Sequence, residues 1–345
     1  MPAQTENTSG RRRIVRGLAL VSLVIALLAL RTCFFRPSTE LSGGHFNRGH
    51  NAAWVGVEWS MEAHSREQIS QLARHLRDCQ ISTIYVYVSY LKPTGLFNAT
   101  YDYAKDFVAE LKAAYPDIDV QAWFGIPVQT LPGIPGPSGY IDLSNDTVRT
   151  RIVEMSRSAV TELGFDGVHL DPEPVISGEA NLLRLLDEVR LGIGTARLSI
   201  SGREITPLLP EADIILNRWF TWRADYYREI ARRVDQIAVM SYDSHAPAGW
   251  VYEKWVQFQI IALTNSLKDA AADLFIGIPT SEEQTASHDP AVENMVSGLS
   301  GLLMGLNDLD SWPERVTGVA IYPYWETSDE EWAQYRALWL DQKEQ

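Results

Sequence analysis

"GFDGVHLDPEPV", residues 164–175, decides how the chain folds. Inside it, the aliphatic Val168 and Leu170 alternate with the ionisable His169, Asp171 and Glu173. On a β-strand, residues two apart share a face. The imidazole and both carboxyls therefore point one way and the aliphatic side chains the other. Burying several ionisable groups is costly unless they pair or serve a purpose. A strand of this kind fits a parallel barrel, whose chemistry gathers at the C-terminal strand ends. The three polar side chains then face the barrel mouth, and Val168 and Leu170 face outward toward covering helices.

The surrounding sequence carries the same rhythm. Strand-like runs occur at 52–58, 83–90, 119–126, 167–173, 196–201, 236–242, 273–279 and 317–324. Amphipathic stretches separate them. Ser65 and Gln68 form a capping-box pattern ahead of a helix over 65–78. A second helix is expected over 146–163, and Ser328 with Glu331 starts a last one. Eight strands each followed by a helix predict an α/β chain with a (β/α)8 barrel. A doubly wound open sheet would usually have fewer strands and often a glycine-rich phosphate loop after the first. None follows "WVGVEW".

Polar and aromatic residues collect where the apolar runs end, as a barrel active site requires. Glu58 and Trp59 end the first run, and Ser89 and Tyr90 the second. Asp171 and Glu173 end the fourth, Tyr242 and Asp243 the sixth, and Tyr322, Tyr324 and Trp325 the eighth.

The charge is unevenly spread. Residues 1–38 hold six arginines and one acid, and with −14 overall the remaining body carries −19. A body this acidic repels phosphate, which argues against a nucleic-acid partner. Residues 1–13 form a basic tail, and Gly17 to Leu30 is an apolar run. That run spans about 21 Å as a helix, short of the roughly 30 Å hydrocarbon core. Extending it to 14–35, with Arg16 and Arg31 snorkelling, spans a membrane. No small-x-small cleavage site follows closely, so an uncleaved anchor with the barrel extracytoplasmic is expected, a cleaved signal and a secreted chain being the alternative. A linker occupies 36–50 and the barrel 51–345. Cys79 is the one cysteine of the body, so no disulfide holds it together. "NAT" at Asn98 and "NDT" at Asn145 match a glycosylation pattern that is common by chance.

"FDGVHLDPE", Phe165 to Glu173, resembles the fourth-strand signature of glycoside hydrolase family 18, the chitinases and their relatives. Asp166, Asp171 and Glu173 match it. "VMSYD" (Val239 to Asp243) and "GVAIYPYW" (Gly318 to Trp325) resemble two further segments of that family. The resemblance covers roughly 52–340. It implies hydrolysis of N-acetylglucosamine-containing glycans, with the substrate's own 2-acetamido carbonyl as nucleophile. Glu173 would be the general acid, Asp171 would hold the acetamido group, and Tyr242 would hydrogen-bond its carbonyl. Asp243, His169, Glu58, Tyr322, Trp325 and Tyr90 are candidates for substrate contact.

Three positions depart from the family pattern: His169 replaces an Asp, Pro172 an aromatic residue, and Tyr322 a Trp. His169 can pair with Asp171 and hold it ionised; Trp325 or Tyr324 can stand in for the Trp. The departures keep a non-catalytic glycan-binding barrel open, and pairing of Glu173 with Glu58 or Asp243 keeps a different glycosidase mechanism open. Asp166 reads as a turn or cap contact. No cofactor is expected: the seven histidines show no metal-ligand spacing, and no phosphate loop or nucleophile elbow occurs.

Overall fold

The computed structural model describes residues 44–129, 139–205 and 221–341. The basic tail, the apolar segment 14–35 and most of the linker lie outside the described residues, as do 130–138 and 206–220. Among the described residues, no helix is long and apolar enough to cross a membrane.

Eight parallel strands close into a barrel in chain order. They are β1 (Asn51–Val55), β2 (Ile81–Tyr90), β3 (Asp119–Pro127), β4 (Gly167–Glu173), β5 (Arg197–Gly202), β6 (Gln236–Val239), β7 (Asp273–Pro279) and β8 (Val316–Tyr322). The helices described around it are α1 (Glu58–Met61), α2 (Arg66–Asp78), α3 (Ala104–Ala114), α4 (Asp146–Thr161), α5 (Ala180–Ile193), α6 (Ala224–Ala231), α7 (Gly249–Ser266), α8 (Met295–Leu306) and α9 (Asp329–Leu338). The expected (β/α)8 architecture is present.

Local chemistry explains the helix starts. The capping boxes read at Ser65/Gln68 and Ser328/Glu331 both form and open α2 and α9. Asn145, read as a possible glycosylation triplet, is the N-cap of α4 and accepts from Thr147 N at 2.9 Å. Asp166 accepts the backbone N–H of Val120 at 3.0 Å and pairs with Lys112, tying β4 to β3 and α3.

Two strand ends differ from the sequence expectation. β1 stops at Val55, and Glu58 instead opens the one-turn α1. β6 stops at Val239, because the chain then turns sharply, with Asp243 in a left-handed backbone at φ +58. Closure between β1 and β8 rests on the pairs Ala52↔Ala320 and Ala53↔Ile321. The buried Asn51 side chain reinforces this seam: its Oδ1 accepts from Trp339 Nε1 at 2.8 Å and Val319 N at 3.2 Å.

A core of Ala52, Trp54, Tyr85, Trp123, Ala238, Phe275 and Ala320 fills the barrel. Val168 and Leu170 are fully buried on the other face of β4, as the alternation requires. Below the mouth, buried polar groups form a continuous column. Ser199 Oγ donates to Gln121 Oε1 at 2.6 Å, and Gln121 Nε2 donates to Gln236 Oε1 at 2.7 Å and Asp119 Oδ2 at 2.8 Å. Each side chain in the column hydrogen-bonds the next, so the barrel axis below the mouth is polar.

Candidate active site

β4 delivers its three ionisable groups at successive heights. His169 is lowest and fully buried, stacked on the Tyr85 ring at 3.9 Å. Trp54 Nε1–H donates to His169 Nε2 at 3.1 Å, so the ring proton sits on Nδ1 and is given to Ser199 Oγ at 2.7 Å. Ser201 Oγ lies 2.9 Å from Nε2. Burial pushes the His169 pKa well below the ordinary imidazole value, so the ring is neutral. The charged pairing with Asp171 considered from the sequence is therefore replaced by hydrogen bonds to Ser199, Ser201 and Trp54. His169 supports the floor of the site and does not open into it.

Asp171 and Glu173 do open into it. They line one cavity of about 110 Å3 with Trp54, Trp123, Ser201, Arg203, Glu204, Met240, Tyr242, Asp243 and Tyr322. Trp123 Nε1–H donates to Asp171 Oδ2 at 3.0 Å, while the buried Oδ1 has no partner. Burial raises the Asp171 pKa, and the Ser201 hydroxyl and Trp123 indole oppose that rise. The Glu173 side chain is 43% accessible, because it faces the cavity. Its pKa is pushed up to about 8, first by burial and then by the Asp171 charge, against the pull of Arg203. A carboxyl near that value is protonated at neutral pH and can act as a general acid.

Aromatic rings wall the cavity. Tyr242 and Tyr322 stack in parallel at 5.0 Å, and Tyr322 meets Trp54 edge-on at 5.7 Å. Gly277 makes room for the Tyr242 ring: a Cβ there would lie 3.0 Å from Tyr242 Cε1 and 2.7 Å from the Val239 carbonyl oxygen.

The strand ends do not all converge. Tyr242, Asp243 and Tyr322 join the β4 carboxyls. Glu58, on α1, is not among the lining residues; its backbone carbonyl bonds His64 Nε2 at 3.0 Å. Tyr90 ends β2 beside Gly125 and is also outside the lining. Trp325 packs edge-on against Tyr322 at 6.1 Å, half exposed above it. Tyr324 turns away and bonds His75 at 2.8 Å.

Arg203 and Glu204, at the end of β5, were missed in the sequence. Arg203 Nη1 lies 3.9 Å from Glu173 Oε1, and its Nε 3.6 Å from Glu204 Oε2. Burial pushes Glu204 up to about 7. They follow directly on the strand-like run 196–201, and no local pattern marks them. Ser199 and Ser201 did carry one: two hydroxyls at i and i+2 inside an apolar run share the interior face with His169.

A family model for glycosyl hydrolases family 18 matches residues 58–344, most of the chain. The protein belongs to family 18 of the glycosyl hydrolases. Solved structures with the same fold accompany that match. The spore cortex-lytic enzyme SleL of Bacillus cereus is 10% identical at a TM-score of 0.54, over 84% of this chain and 74% of that one. A chitinase of Rhizomucor miehei is 16% identical at 0.54, over 85% and 99%. A class V chitinase of Nicotiana tobaccum is 12% identical at 0.52, over 84% and 98%. No curated protein sequence matches this family-18 chain.

Proposed function

We propose that this family-18 chain hydrolyses N-acetylglucosamine-containing glycans by substrate assistance. The observation that carries the reading is one cavity holding Asp171, Glu173 and Tyr242 together, with Glu173 raised to about 8. Protonated Glu173 gives its proton to the glycosidic oxygen as the bond to the anomeric carbon breaks. The 2-acetamido carbonyl oxygen attacks that carbon, forming a cyclic intermediate. Asp171, which lines the cavity, accepts the acetamido N–H and stabilises the positive charge that develops. Tyr242 donates its hydroxyl to the carbonyl side of the same group. Water then opens the ring, returning a proton to Glu173 and retaining configuration at the anomeric carbon.

The cavity volume fits this division of labour. Clefts that enclose a whole drug-sized ligand run to roughly 300–1,000 Å3. About 110 Å3 houses the acetamido arm and part of one ring, leaving the rest of the glycan on the rim. Trp325, half exposed beside Tyr322, supplies an apolar face for a neighbouring sugar. The enzyme works outside the cytoplasm, tethered through residues 14–35.

Asp243 and Glu204 share the cavity from other strand ends, which favours a second reading in which one of them is a protein nucleophile paired with Glu173. Paired chromogenic substrates decide between the two. Cleavage of a β-N-acetylglucosaminide oligomer with no cleavage of the matching glucoside supports substrate assistance. Comparable cleavage of both sinks it.

A further inference from the structure

The turn that presents Tyr242 and Asp243 to the cavity is held by a buried ion pair that the proposed chemistry does not use. Asp243 is a non-glycine residue at φ +58, a conformation disfavoured by its own Cβ. The Glu293 carboxylate grips this turn with both oxygens. Asp243 N–H donates to Oε2 at 2.7 Å, Ser244 N–H to Oε1 at 2.9 Å, and Ser244 Oγ–H to Oε1 at 2.5 Å. Glu293 is 1% exposed, so its charge needs a partner.

His288 is that partner. Its Nδ1 lies 3.2 Å from Glu293 Oε2 and its Nε2 3.0 Å from the Ser281 carbonyl oxygen. Both ring nitrogens face acceptors, an arrangement that favours the doubly protonated ring. The hydrogen bond to Glu293 pushes its pKa up, against burial. Ser287 Oγ donates to Asp243 Oδ1 at 3.0 Å, so the same loop aims the Asp243 side chain. Four hydrogen bonds from the segment between β7 and α8, three to Glu293 and one from Ser287, thus hold Asp243 and Ser244, directly after Tyr242.

We propose that His288 and Glu293 are positioning residues of the active site, holding Tyr242 and Asp243 in place against the reacting sugar. This rests on the glycosidase reading of the cavity. A carboxamide at position 293 cannot repeat the grip, because its NH2 would face a backbone N–H. The turn then relaxes and the reacting geometry loosens.

The test compares the full chain with its Glu293→Gln and His288→Gln variants. The measurements are kcat and KM on the chromogenic N-acetylglucosamine tetramer, and the amide NMR signals of Asp243 and Ser244. Glu293→Gln is expected to lower kcat about 10- to 100-fold with KM within roughly threefold, and to move both amide signals upfield. His288→Gln keeps the carboxylate on the turn and is expected to lose less, about three- to tenfold, which covers the case of a Glu293→Gln protein that does not fold. Amide signals that move while kcat stays within about twofold would reduce the pair to a loop staple and overturn the proposal. Unmoved amide signals would overturn it too. If the wild-type chain binds the tetramer without cleaving it, the glycosidase reading fails separately. The clamp is then judged on the tetramer Kd, which Glu293→Gln must weaken about tenfold or more; an unchanged Kd overturns it.

Discussion

Trp123 gives its indole N–H to Asp171 Oδ2 at 3.0 Å and leaves Oδ1 of that buried carboxylate without a partner. An unmade buried hydrogen bond costs about 1–3 kcal/mol. Such groups are rare in folded proteins. The unpaired oxygen lies on the side chain that the proposed chemistry needs for the acetamido N–H.

Asp171→Asn removes the charge while keeping an oxygen for Trp123. It is expected to lower kcat about 100-fold, with a thermal midpoint no lower than that of the wild type because a buried charge is gone. Steady-state kinetics and a melting curve check both. A kcat within threefold of wild type would show that Asp171 does not touch the transition state.

Activity should fall on the alkaline side near pH 8, because the general acid works protonated and Glu173 sits at about 8. Asp171 and Glu204 push that pKa up and Arg203 pulls it down. Glu204→Gln therefore moves the alkaline limb of kcat/KM to lower pH, and Arg203→Gln moves it higher. The same shift has a stability sign. Folded Glu173 holds its proton between the ordinary 4.5 and about 8, whereas the unfolded chain has lost it. This group's contribution therefore declines as pH rises through that window, and the Glu173→Gln thermal midpoint should decline less from pH 5 to pH 9 than that of the wild type. A limb that ignores both neighbouring substitutions would contradict the electrostatic account.

His169→Ala should cost about 3 kcal/mol of stability, since it leaves a cavity against Tyr85 and strands Trp54, Ser199 and Ser201. Urea unfolding measures it. A loss under about 1 kcal/mol would mean that the column of polar groups does not hold the barrel floor.

The barrel was legible because each element carried its own local signal. Short apolar, β-branched or aromatic runs marked the strands, and Ser65 with Gln68 and Ser328 with Glu331 marked two helix starts. Strand ends were less legible where the backbone turns without a glycine. Glu58 continues an apolar run in sequence yet opens a helix, and Asp243 enters the left-handed region only because Glu293, fifty residues later, pays for it with hydrogen bonds. The β4 carboxyls were readable from their spacing and family pattern. Arg203, Glu204, His288 and Glu293 were not: Arg203 meets Glu173 on β4, Glu293 meets Asp243 and Ser244 after β6, and no local pattern records contacts of that kind.

Tyr242→Phe keeps the ring stacked on Tyr322 and removes only the hydroxyl. It should lower kcat about tenfold or more at an unchanged thermal midpoint, and the loss should vanish on a substrate lacking the acetamido group if any such substrate is turned over. An equal loss on both substrates would detach Tyr242 from the acetamido carbonyl.

The central claim is that Glu173 protonates the leaving oxygen. The direct measurement is kcat of Glu173→Gln against wild type on the chromogenic N-acetylglucosamine tetramer, with tetramer binding followed by calorimetry. The account predicts a loss of about 1,000-fold or more in kcat, with the tetramer still bound and the fold intact. A variant that keeps wild-type turnover would contradict it.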